Sequence, residues 1–231
     1  MKEFKGKTVV VTGAASGIGY ALAERFAQEK MNVVLADIEQ DALDAAVAKI
    51  CDLDVKAVGI AVDVMDKNSV QSLAKQSIDA FGNIHILCNN AGVAPPAIDE
   101  AIWDHDQNGW DWVMGVNFYG ILYGIQSFLP YMIEHKEEGH VLNTVSMAGI
   151  LGLEGSYGVS KFAALALSEG LWQSLKKINS KIGASALCPG FVATNLIDSQ
   201  RNRPEHLSSK KKSNFLLKQL AASVLKRGKK P

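Results

Sequence analysis

The sequence predicts an α/β protein in which one doubly wound parallel sheet carries helices on both faces. Short, wholly apolar runs rich in β-branched residues alternate with amphipathic stretches of helical spacing up to about residue 200. Strands that are apolar throughout are typical of parallel sheets covered on both sides. The 231 residues suffice for one domain with a sizeable core, and 48% hydrophobic with 21% charged residues is an ordinary globular composition.

The predicted elements follow one another as strand, helix, strand. Apolar β-branched runs predict strands at Thr8–Val11, Val33–Ala36, Ala57–Val62, Ile84–Cys88, Val141–Val145 and Ala184–Cys188. Apolar residues at helical spacing predict helices at Ile18–Gln28, Glu39–Ile50, Val70–Ile78, Trp112–Glu134 and Tyr157–Ile178, and a closing helix at Phe215–Leu225. Right-handed crossovers between parallel strands then give the doubly wound sheet.

The charge is balanced overall but unevenly distributed. Lys plus Arg and Asp plus Glu both number 24. Residues 201–231 hold ten basic residues and one acidic residue, a charge of +9, which leaves −9 for residues 1–200. We therefore distinguish a main domain, residues 1–200, from a basic C-terminal loop and helix, residues 201–231, which belongs to the same domain or forms a tail.

The basic segment has several possible partners. Its charge would suit nucleic acid, an acidic membrane or the acidic body of a neighbouring subunit. It lacks the interleaved aromatic residues of a single-strand nucleic-acid binder. A solvated end is the simpler interpretation, and neither a nucleic-acid nor a membrane partner is expected.

Cysteine and histidine spacing give no sign of a metal site. Cys51, Cys88 and Cys188 have no CxxC spacing, and the five histidines show no ligand pattern. An odd number of scattered cysteines indicates reduced thiols.

The sequence has no signal-peptide pattern at its start and no apolar stretch of membrane-spanning length, so a cytoplasmic protein is expected.

A glycine-rich turn after the first predicted strand is the strongest chemical signal. In the run Thr12–Gly19, Gly13 permits a backbone conformation that other residues resist. Gly17 lets the backbone approach a pyrophosphate, and Gly19 lets the helix pack tightly on the strand. The helix N-terminus offers free N–H groups and a partial positive charge to phosphates. The pattern predicts a dinucleotide site of the Rossmann-like type.

Asp37 ends the second predicted strand, 18 residues after Gly19. A carboxylate there accepts hydrogen bonds from both adenosine-ribose hydroxyls and repels a 2′-phosphate. Neither the following Ile38-Glu39 nor the glycine turn contains Lys or Arg. We therefore expect NAD as the cofactor, in preference to NADP. The alternative is that Asp37 is simply the N-cap of the helix over Glu39–Ile50.

Five motifs in order resemble the short-chain dehydrogenase/reductase family, in its compact TGxxxGxG/YxxxK form. They are Thr12–Gly19, Asp63-Val64, Asn89–Gly92, Tyr157–Lys161 and Pro189–Thr194, and the resemblance spans residue 5 to about residue 200. The resemblance implies cofactor contacts at Gly13, Ser16, Gly17, Ile18, Gly19, Asp37, Asp63, Val64, Asn90, Ala91, Gly92, Tyr157, Lys161, Pro189, Gly190, Val192 and Thr194. For Thr194, a plain helix N-cap role is compatible with this one.

Tyr157 and Lys161 are the expected catalytic acid/base pair. At i and i+4 they are neighbours on one helix face. A tyrosine titrates near ~10, and both the lysine ammonium and a positive nicotinamide ring favour its phenolate. The resemblance also implies a hydrogen bond from the lysine to the nicotinamide ribose. An isolated Tyr–Lys pair would otherwise be a surface packing contact.

The resemblance implies two further catalytic residues, Ser146 and Asn117. Ser146 ends a predicted strand and would bind the substrate oxygen. It lies 11 residues before Tyr157, where many relatives have 13, so Thr144 is the alternative at the wider spacing. Asn117 would hold a water that bridges to the lysine and would kink its helix. The alternative is a polar residue merely tolerated within a helix.

The C-terminal part departs from the family pattern. Relatives usually end with a seventh strand, and no strand pattern follows Cys188, so the seventh strand is predicted to be missing.

The long helices Trp112–Glu134 and Tyr157–Ile178 are those that relatives use in subunit contacts, which implies a homodimer or homotetramer. Five acidic residues and three tryptophans between Asp99 and Trp112 indicate either a cap over a substrate pocket or a solvated loop.

These observations predict an oxidoreductase that transfers a hydride between NAD(H) and a small-molecule secondary alcohol or ketone. Tyr157 would move the proton, and the chemistry of the hydride would be the cofactor's. Two alternatives remain open: a protein that senses the dinucleotide without turnover, and an NADPH-dependent reductase of ketoacyl-type intermediates. The glycine spacing and the short chain disfavour a sugar-nucleotide epimerase.

Overall fold

The computed structural model describes residues 1–95 and 102–208. Its core is one sheet of six parallel strands in the order β3-β2-β1-β4-β5-β6. The strands are β1 Thr8–Thr12, β2 Asn32–Asp37, β3 Ala57–Ala61, β4 Ile86–Asn89, β5 Gly139–Thr144 and β6 Ile182–Leu187. The chain winds outward from β1 to β3 and then returns to add β4 on the other side of β1. This reversal creates a crevice at the carboxyl ends of β1 and β4, where open α/β sheets bind ligands.

Helices connect the strands and cover the sheet. They are α1 Gly17–Gln28, α2 Gln40–Cys51, α3 Lys67–Phe81, α4 Gln107–Met114, α5 Gly120–Glu134, α6 Ala148–Leu151 and α7 Gly155–Lys177. The predicted doubly wound parallel sheet is confirmed, with strand and helix boundaries displaced by one to three residues at most ends.

The helix predicted over Trp112–Glu134 is present, with an earlier start and a local distortion. The helix begins earlier, because the Asp106 carboxylate accepts a hydrogen bond from the Gly109 N–H and caps α4. It is then interrupted by a π-helical turn, Gly115–Tyr119. Such turns insert one residue into the helix and are frequent at functional sites. The expected local distortion at Asn117 is therefore present, as a π-turn between two α-helices.

Alternate residues of β1 enter two separate cores. Val9 and Val11 pack on the face covered by α1 and α2, with Ala23 and Leu43. Val10 packs on the opposite face, which α3, α5 and α7 cover. All five β1 residues are buried. Burial on both faces explains why the run is wholly apolar apart from its terminal threonines.

The described part of the chain contains no strand after β6. Residues 189–208 instead form a loop and two 3₁₀ segments, Asn195–Asn202 and Glu205–Leu207. The predicted helix Phe215–Leu225, the lysine run 210–212, and Asp99 and Glu100 of the acidic stretch lie outside the described residues. The rest of that stretch is not a simple loop, since Ile102–Asp104 is a 3₁₀ turn and α4 begins at Gln107.

Membrane-spanning helices and metal clusters are both absent from residues 1–95 and 102–208. None of the helices in these ranges has the length and hydropathy of a transmembrane span. The same residues contain no group of three or more His, Cys, Asp or Glu side chains placed to hold a metal ion.

Candidate active site

One elongated cavity lies at the carboxyl ends of the strands, across the β1–β4 crevice. It brings together nearly all the residues that the sequence assigned to the site. Of the predicted residues, those that line it are Gly13, Ser16, Gly17, Ile18, Asp37, Asp63, Val64, Asn90, Ala91, Gly92, Ser146, Tyr157, Lys161, Pro189, Gly190, Val192 and Thr194. Gly19 and Asn117 are the two that do not line it.

The glycine turn leaves no room for side chains. Gly13 has a φ of +65°, and a Cβ there would lie 2.8 Å from the Ala91 Cα. Gly17 has a φ of +59°, and a Cβ would lie 3.0 Å from Thr194 Cγ2. A Cβ on Gly19 would lie 2.0 Å from the Gly13 carbonyl oxygen, so this glycine serves helix packing. Ser16 is the N-cap of α1, but its side chain makes no capping hydrogen bond. The first N–H groups of α1, which border the cavity, are therefore not occupied by the Ser16 hydroxyl.

Asp37 is held in place by two backbone N–H groups. Its Oδ2 accepts a hydrogen bond from the Ala15 N–H in the glycine turn at 2.9 Å. Its Oδ1 accepts one from the Glu39 N–H at 3.1 Å. The alternative that Asp37 is the N-cap of the second helix is wrong, because Glu39 occupies that position in α2. Each carboxylate oxygen retains a lone pair for a ligand at the cavity edge.

Arg201 lines the same end of the cavity, a residue that sequence reasoning missed. Its Nε donates to Glu39 Oε2 at 3.3 Å, and its Nη2 donates to Glu39 Oε1. The two residues are 162 positions apart, so no local pattern around Asp37 could reveal the cation. The hydrogen bond from Arg201 is the main reason that the pKa of Glu39 is lowered.

Asn90 joins the glycine turn to the neighbouring strands. Its Nδ2 donates to the carbonyl oxygens of Thr12 and Gly13, at 3.1 and 3.3 Å. Its Oδ1 accepts from the Thr144 hydroxyl at 3.0 Å. The side chain therefore fixes the shape of the crevice, while Asn90, Ala91 and Gly92 also border the cavity.

Asp63 fixes the loop after β3 in a similar way. Its Oδ1 accepts from the Met65 N–H at 2.9 Å, and its own N–H donates to the Ser69 hydroxyl at 3.1 Å. Asp63 and Val64 consequently lie on the wall of the cavity, next to Met65.

Ser146, Tyr157 and Lys161 meet at the other end of the cavity. The Ser146 hydroxyl oxygen accepts a hydrogen bond from the Ala148 N–H at 3.1 Å, and Ser146 has an unusual φ of +146°. Backbone outliers of this kind cluster at functional sites. Lys161 Nζ lies 5.7 Å from the centre of the Tyr157 ring and donates to the Thr144 carbonyl oxygen at 3.0 Å. Thr144, the alternative to Ser146, has its hydroxyl bonded to Asn90 instead.

The pKa values at this end differ from the sequence-based expectation. Burial raises the pKa of the Tyr157 phenol above its ordinary value, and the Ser146 side chain offsets this in part. Burial also lowers the pKa of Lys161 to about 8. The expected lowering of the Tyr157 pKa by the lysine is not found in the chain alone, because desolvation is the dominant effect.

Asn117 is wholly buried and does not reach the cavity. Its Oδ1 accepts from the Val93 N–H at 2.9 Å, and its Nδ2 donates to the Val93 carbonyl at 3.0 Å and to the Ser160 hydroxyl at 3.1 Å. The side chain thus holds the loop after β4 against α7, one residue from Lys161. These three hydrogen bonds make Asn117 more than a polar residue tolerated within a helix, and its water-holding role stays a prediction.

Residues 189–202 close the cavity on the side opposite the sheet. Thr194 caps the 3₁₀ segment Asn195–Asn202, since its hydroxyl accepts from the Leu196 N–H at 3.4 Å. The buried Ser199 hydroxyl accepts from the Ala94 N–H at 3.0 Å and donates to the Ala94 carbonyl at 3.2 Å. The segment is therefore tied both to the loop after β4 and, through Arg201, to α2.

This fold and this crevice define a dinucleotide-dependent oxidoreductase, and the sequence comparisons identify its family. Residues 7–205 match the family model described as short chain dehydrogenase. The chain belongs to this family, as its motifs predicted. It is an NAD(P)-dependent oxidoreductase that acts on CH–OH groups of small-molecule substrates and uses a nicotinamide dinucleotide cofactor.

Similar proteins include characterised dehydrogenases from several bacteria. The chain is 35% identical over 210 residues to a CLA biosynthesis dehydrogenase/reductase of Lactiplantibacillus plantarum, covering 90% of this chain and 72% of that protein. It is 30% identical over 212 residues to 3beta-hydroxysteroid dehydrogenase 2 of Eggerthella lenta, covering 91% and 80%. A crystal structure of a short chain dehydrogenase/reductase from Burkholderia phymatum in complex with NAD matches with a TM-score of 0.93 and 37% identity, covering 100% of this chain and 83% of that one.

Proposed function

We propose that the chain interconverts a secondary alcohol and a ketone with NAD(H), with Tyr157 as the general acid/base. The observation that carries this proposal is the arrangement of one continuous cavity. Ser146, Tyr157 and Lys161 lie at one end, and the glycine turn and Asp37 lie at the other. The cofactor, when bound, supplies or accepts the hydride.

The protein's own groups would handle the proton and the substrate oxygen. Because burial raises its pKa, Tyr157 keeps its proton at neutral pH and is suited to donate it to a ketone oxygen. The Ser146 hydroxyl, which lines the same end of the cavity as Tyr157, would bind the same oxygen. In the reverse direction, Tyr157 would first lose its own proton to solvent, and its phenolate would then accept the alcohol proton. Lys161, with a pKa of about 8, is mostly charged at neutral pH and would favour that phenolate electrostatically.

We propose Asn117 as a positioning residue rather than one that touches the reactants. Its three hydrogen bonds hold Val93 and Ser160 in place. Ser160 precedes Lys161 in α7, and Gly92, beside Val93, borders the cavity. Asn117 would therefore set the distance between the loop after β4 and the lysine.

We propose NAD rather than NADP as the cofactor. The support is the Asp37 carboxylate, fixed at the cavity edge by Ala15 and Glu39. Its charge would repel a 2′-phosphate, and its free lone pairs would accept the ribose hydroxyls. The NAD in the similar Burkholderia phymatum structure agrees with this proposal. An NADPH-dependent ketoacyl-type reductase is disfavoured by the same carboxylate.

A titration with NADH and, in parallel, NADPH would test the cofactor proposal. Purified protein is mixed with each dinucleotide, and binding is measured by the change in cofactor fluorescence. We expect tight binding of NADH and binding of NADPH weaker by at least about tenfold. A preference for NADPH would contradict the assignment of Asp37.

Replacing Tyr157 tests the catalytic proposal against the dinucleotide-sensor alternative. In Tyr157→Phe the phenol that carries the proton is gone, so turnover on a panel of secondary alcohols and ketones should fall about 10²–10⁴-fold. NADH binding should be retained, because the ring remains. The control is Tyr131→Phe, which removes an exposed hydroxyl on α5 and should leave turnover unchanged. Equal turnover in Tyr157→Phe and the unmodified protein would disprove this role for Tyr157.

We propose a homodimer or homotetramer assembled through α5 and α7. Large apolar side chains are exposed on these helices, including Tyr131, Phe162 and Trp172. Such surfaces are often interfaces. The test is sedimentation analysis of the protein and of Phe162→Asp. We expect the protein to sediment as an oligomer and the variant to sediment as a smaller species, and a monomeric protein would contradict the proposal.

We also propose that residues 201–208 belong to the catalytic domain rather than to a tail. The Arg203 guanidinium lies 5.3 Å from the centre of the Trp112 ring, and Asn108 Nδ2 donates to the Ser208 carbonyl at 3.0 Å.

A cytoplasmic location remains our proposal too, supported by three cysteines that form no disulfide. Cell fractionation would test the location.

A further inference from the structure

Arg201 is the only cation at the end of the cavity where Asp37 lies, among the residues that the structure describes. The described lining contains two basic side chains, Lys161 and Arg201. Lys161 lies at the catalytic end, bonded to the Thr144 carbonyl. A free guanidinium beside Asp37 would favour a 2′-phosphate, since arginine binds phosphate through two parallel hydrogen bonds. The hydrogen-bond partner of the Arg201 guanidinium therefore affects whether the cavity favours NAD or NADP.

The partner of the guanidinium is Glu39. Two N–H groups of the guanidinium donate to the two oxygens of the Glu39 carboxylate, which also accepts from Asn202 Nδ2 at 2.8 Å. Arg201 Nη1 donates to the Asn195 carbonyl at 3.2 Å, which fixes the side chain on its own segment. The fork that would hold a phosphate is thus taken by a carboxylate.

Glu39 is also joined to Asp37 through the backbone. Its N–H donates to Asp37 Oδ1, so the two carboxylates border one rim of the cavity. The Arg201 guanidinium lies between the Glu39 carboxylate and the Asn195 carbonyl. The formal charge of the three side chains is negative by one unit. Without Glu39 the charge would be zero, and the guanidinium would be released beside the position expected for the adenosine ribose.

We propose that Glu39 is a second selectivity residue for the dinucleotide, because it engages Arg201 and so denies that guanidinium to a 2′-phosphate. This inference rests on the proposed NAD preference and on the role of Asp37. It adds that the Arg201 guanidinium has the chemistry to bind a phosphate, and that the carboxylate of Glu39, two positions after Asp37, occupies it. Glu39 acts through Arg201 and need not touch the cofactor.

Glu39→Gln is the direct test, with binding of NADPH and NADH measured by cofactor fluorescence. The amide keeps the size of the side chain and removes its charge. We expect the dissociation constant for NADPH to fall about tenfold, the effect of one charge-assisted hydrogen bond. The dissociation constant for NADH should stay within about twofold, since the change acts through the phosphate that NADH lacks.

Two further variants separate the proposed effect from a general loosening of the rim. In the double variant Glu39→Gln/Arg201→Gln the gain in NADPH binding should disappear, because no guanidinium remains. In Asn202→Ala, which removes the other partner of Glu39 without changing any charge, the ratio of the two dissociation constants should be unchanged. Thermal unfolding of each variant checks that it folds.

Arg201→Gln alone provides an independent test should Glu39→Gln not fold. It removes the cation that pairs with the Glu39 carboxylate, so this rim of the cavity becomes more negative. We expect the dissociation constant for NADPH, relative to that for NADH, to rise above the ratio in the unmodified protein.

An unchanged ratio in Glu39→Gln, or equal weakening of both dinucleotides, would overturn this inference and leave the proposed function intact. An unmodified protein that prefers NADPH would instead overturn the proposed cofactor itself.

Discussion

The two walls of the cavity are built in different ways. On the sheet side, β1 is fully buried and the glycine turn that follows it admits no Cβ at Gly19. On the opposite side, residues 189–208 form only 3₁₀ segments, and Phe191 is 84% exposed. Polar contacts such as those of Ser199 and Arg201 hold that side in place.

This difference separates a fixed wall from one that opens at lower free-energy cost. The sheet wall is part of the close-packed interior, so it yields only with global unfolding. The 189–208 wall depends on individual hydrogen bonds, each of which contributes about 1 kcal/mol, and on a few packing contacts such as those of Arg203 and Leu207. A dinucleotide can therefore be bound against a rigid surface while the other wall adapts to it.

The largest expected effect comes from filling the space at Gly19. In Gly19→Ala the new methyl group would overlap the Gly13 carbonyl oxygen, so α1 must shift. We expect the free energy of unfolding to fall by about 1–3 kcal/mol, the usual cost of overpacking, and NADH binding to weaken with it. Urea denaturation and the fluorescence titration measure the two quantities.

Gly170→Ala is the matched control for this variant. Gly170 lies in α7, and a methyl group added there would point into open space, so alanine should stabilise the helix by up to about 1 kcal/mol. Equal stability of Gly19→Ala and the unmodified protein would show that the sheet wall is not rigid.

A smaller effect is expected from the opposite wall. Ser199→Ala removes the hydroxyl that bonds both the N–H and the carbonyl of Ala94. The free energy of unfolding should fall by about 1–2 kcal/mol, and NADH should bind more weakly because Thr194 lies on the same segment. Ser174→Ala, which removes an exposed hydroxyl on α7, should change the stability by less than about 0.5 kcal/mol. If the two variants were equally stable, the Ser199 contacts would not hold this wall.

The smallest effect is expected far from both walls, at the amino ends of the strands. His85 Nδ1 accepts from the Thr8 N–H at 3.1 Å, and Nε2 lies 3.0 Å from a Glu137 oxygen. Burial lowers the pKa of His85 despite the nearby Glu137, whereas His135 and Lys7 act in the same direction as burial. The folded protein therefore binds the proton more weakly than the unfolded chain does.

The sign of the pH effect follows from that lowered pKa. Stability from neutral His85 is fully present above the unfolded pKa of about 6.5 and is lost as the pH falls through the lower folded pKa. We expect the unfolding free energy to decrease by at most about 1.4 kcal/mol per pH unit from this group. His85→Gln should flatten the stability profile below about pH 6.5, while NADH binding at pH 7 stays unchanged. A profile of the same slope in both proteins would exclude His85 as its source.

The parts of the molecule that sequence reasoning predicted are those encoded by neighbouring residues. The valines of β1, the glycines that follow and Asp37 each report a local requirement, such as burial on both faces or a positive φ. They predicted the sheet and the end of the cavity where Asp37 lies. The spacing of Tyr157 and Lys161 on one helix predicted that they would be neighbours.

The features that escaped prediction depend on contacts between distant segments. The Arg201–Glu39 pair joins α2 to a segment after β6, and the interaction has no local signature. The contacts of Asn117 with Val93 arise where the π-turn meets the loop after β4, although the distortion of the helix at Asn117 was itself expected. The raised pKa of Tyr157 depends on burial, which spacing does not reveal.

The contacts of Asn90 also bear on how the protein is made. Asn90 joins Thr12 and Gly13, near the start of the chain, to Thr144 in β5. Synthesis proceeds from the N-terminus, so the turn leaves the ribosome long before the residues that brace it. A nascent chain cannot complete its dinucleotide crevice until β5 has emerged and paired with β4. We therefore expect cofactor capture to be a late event in the biogenesis of this enzyme, although the glycine turn is translated long before β5.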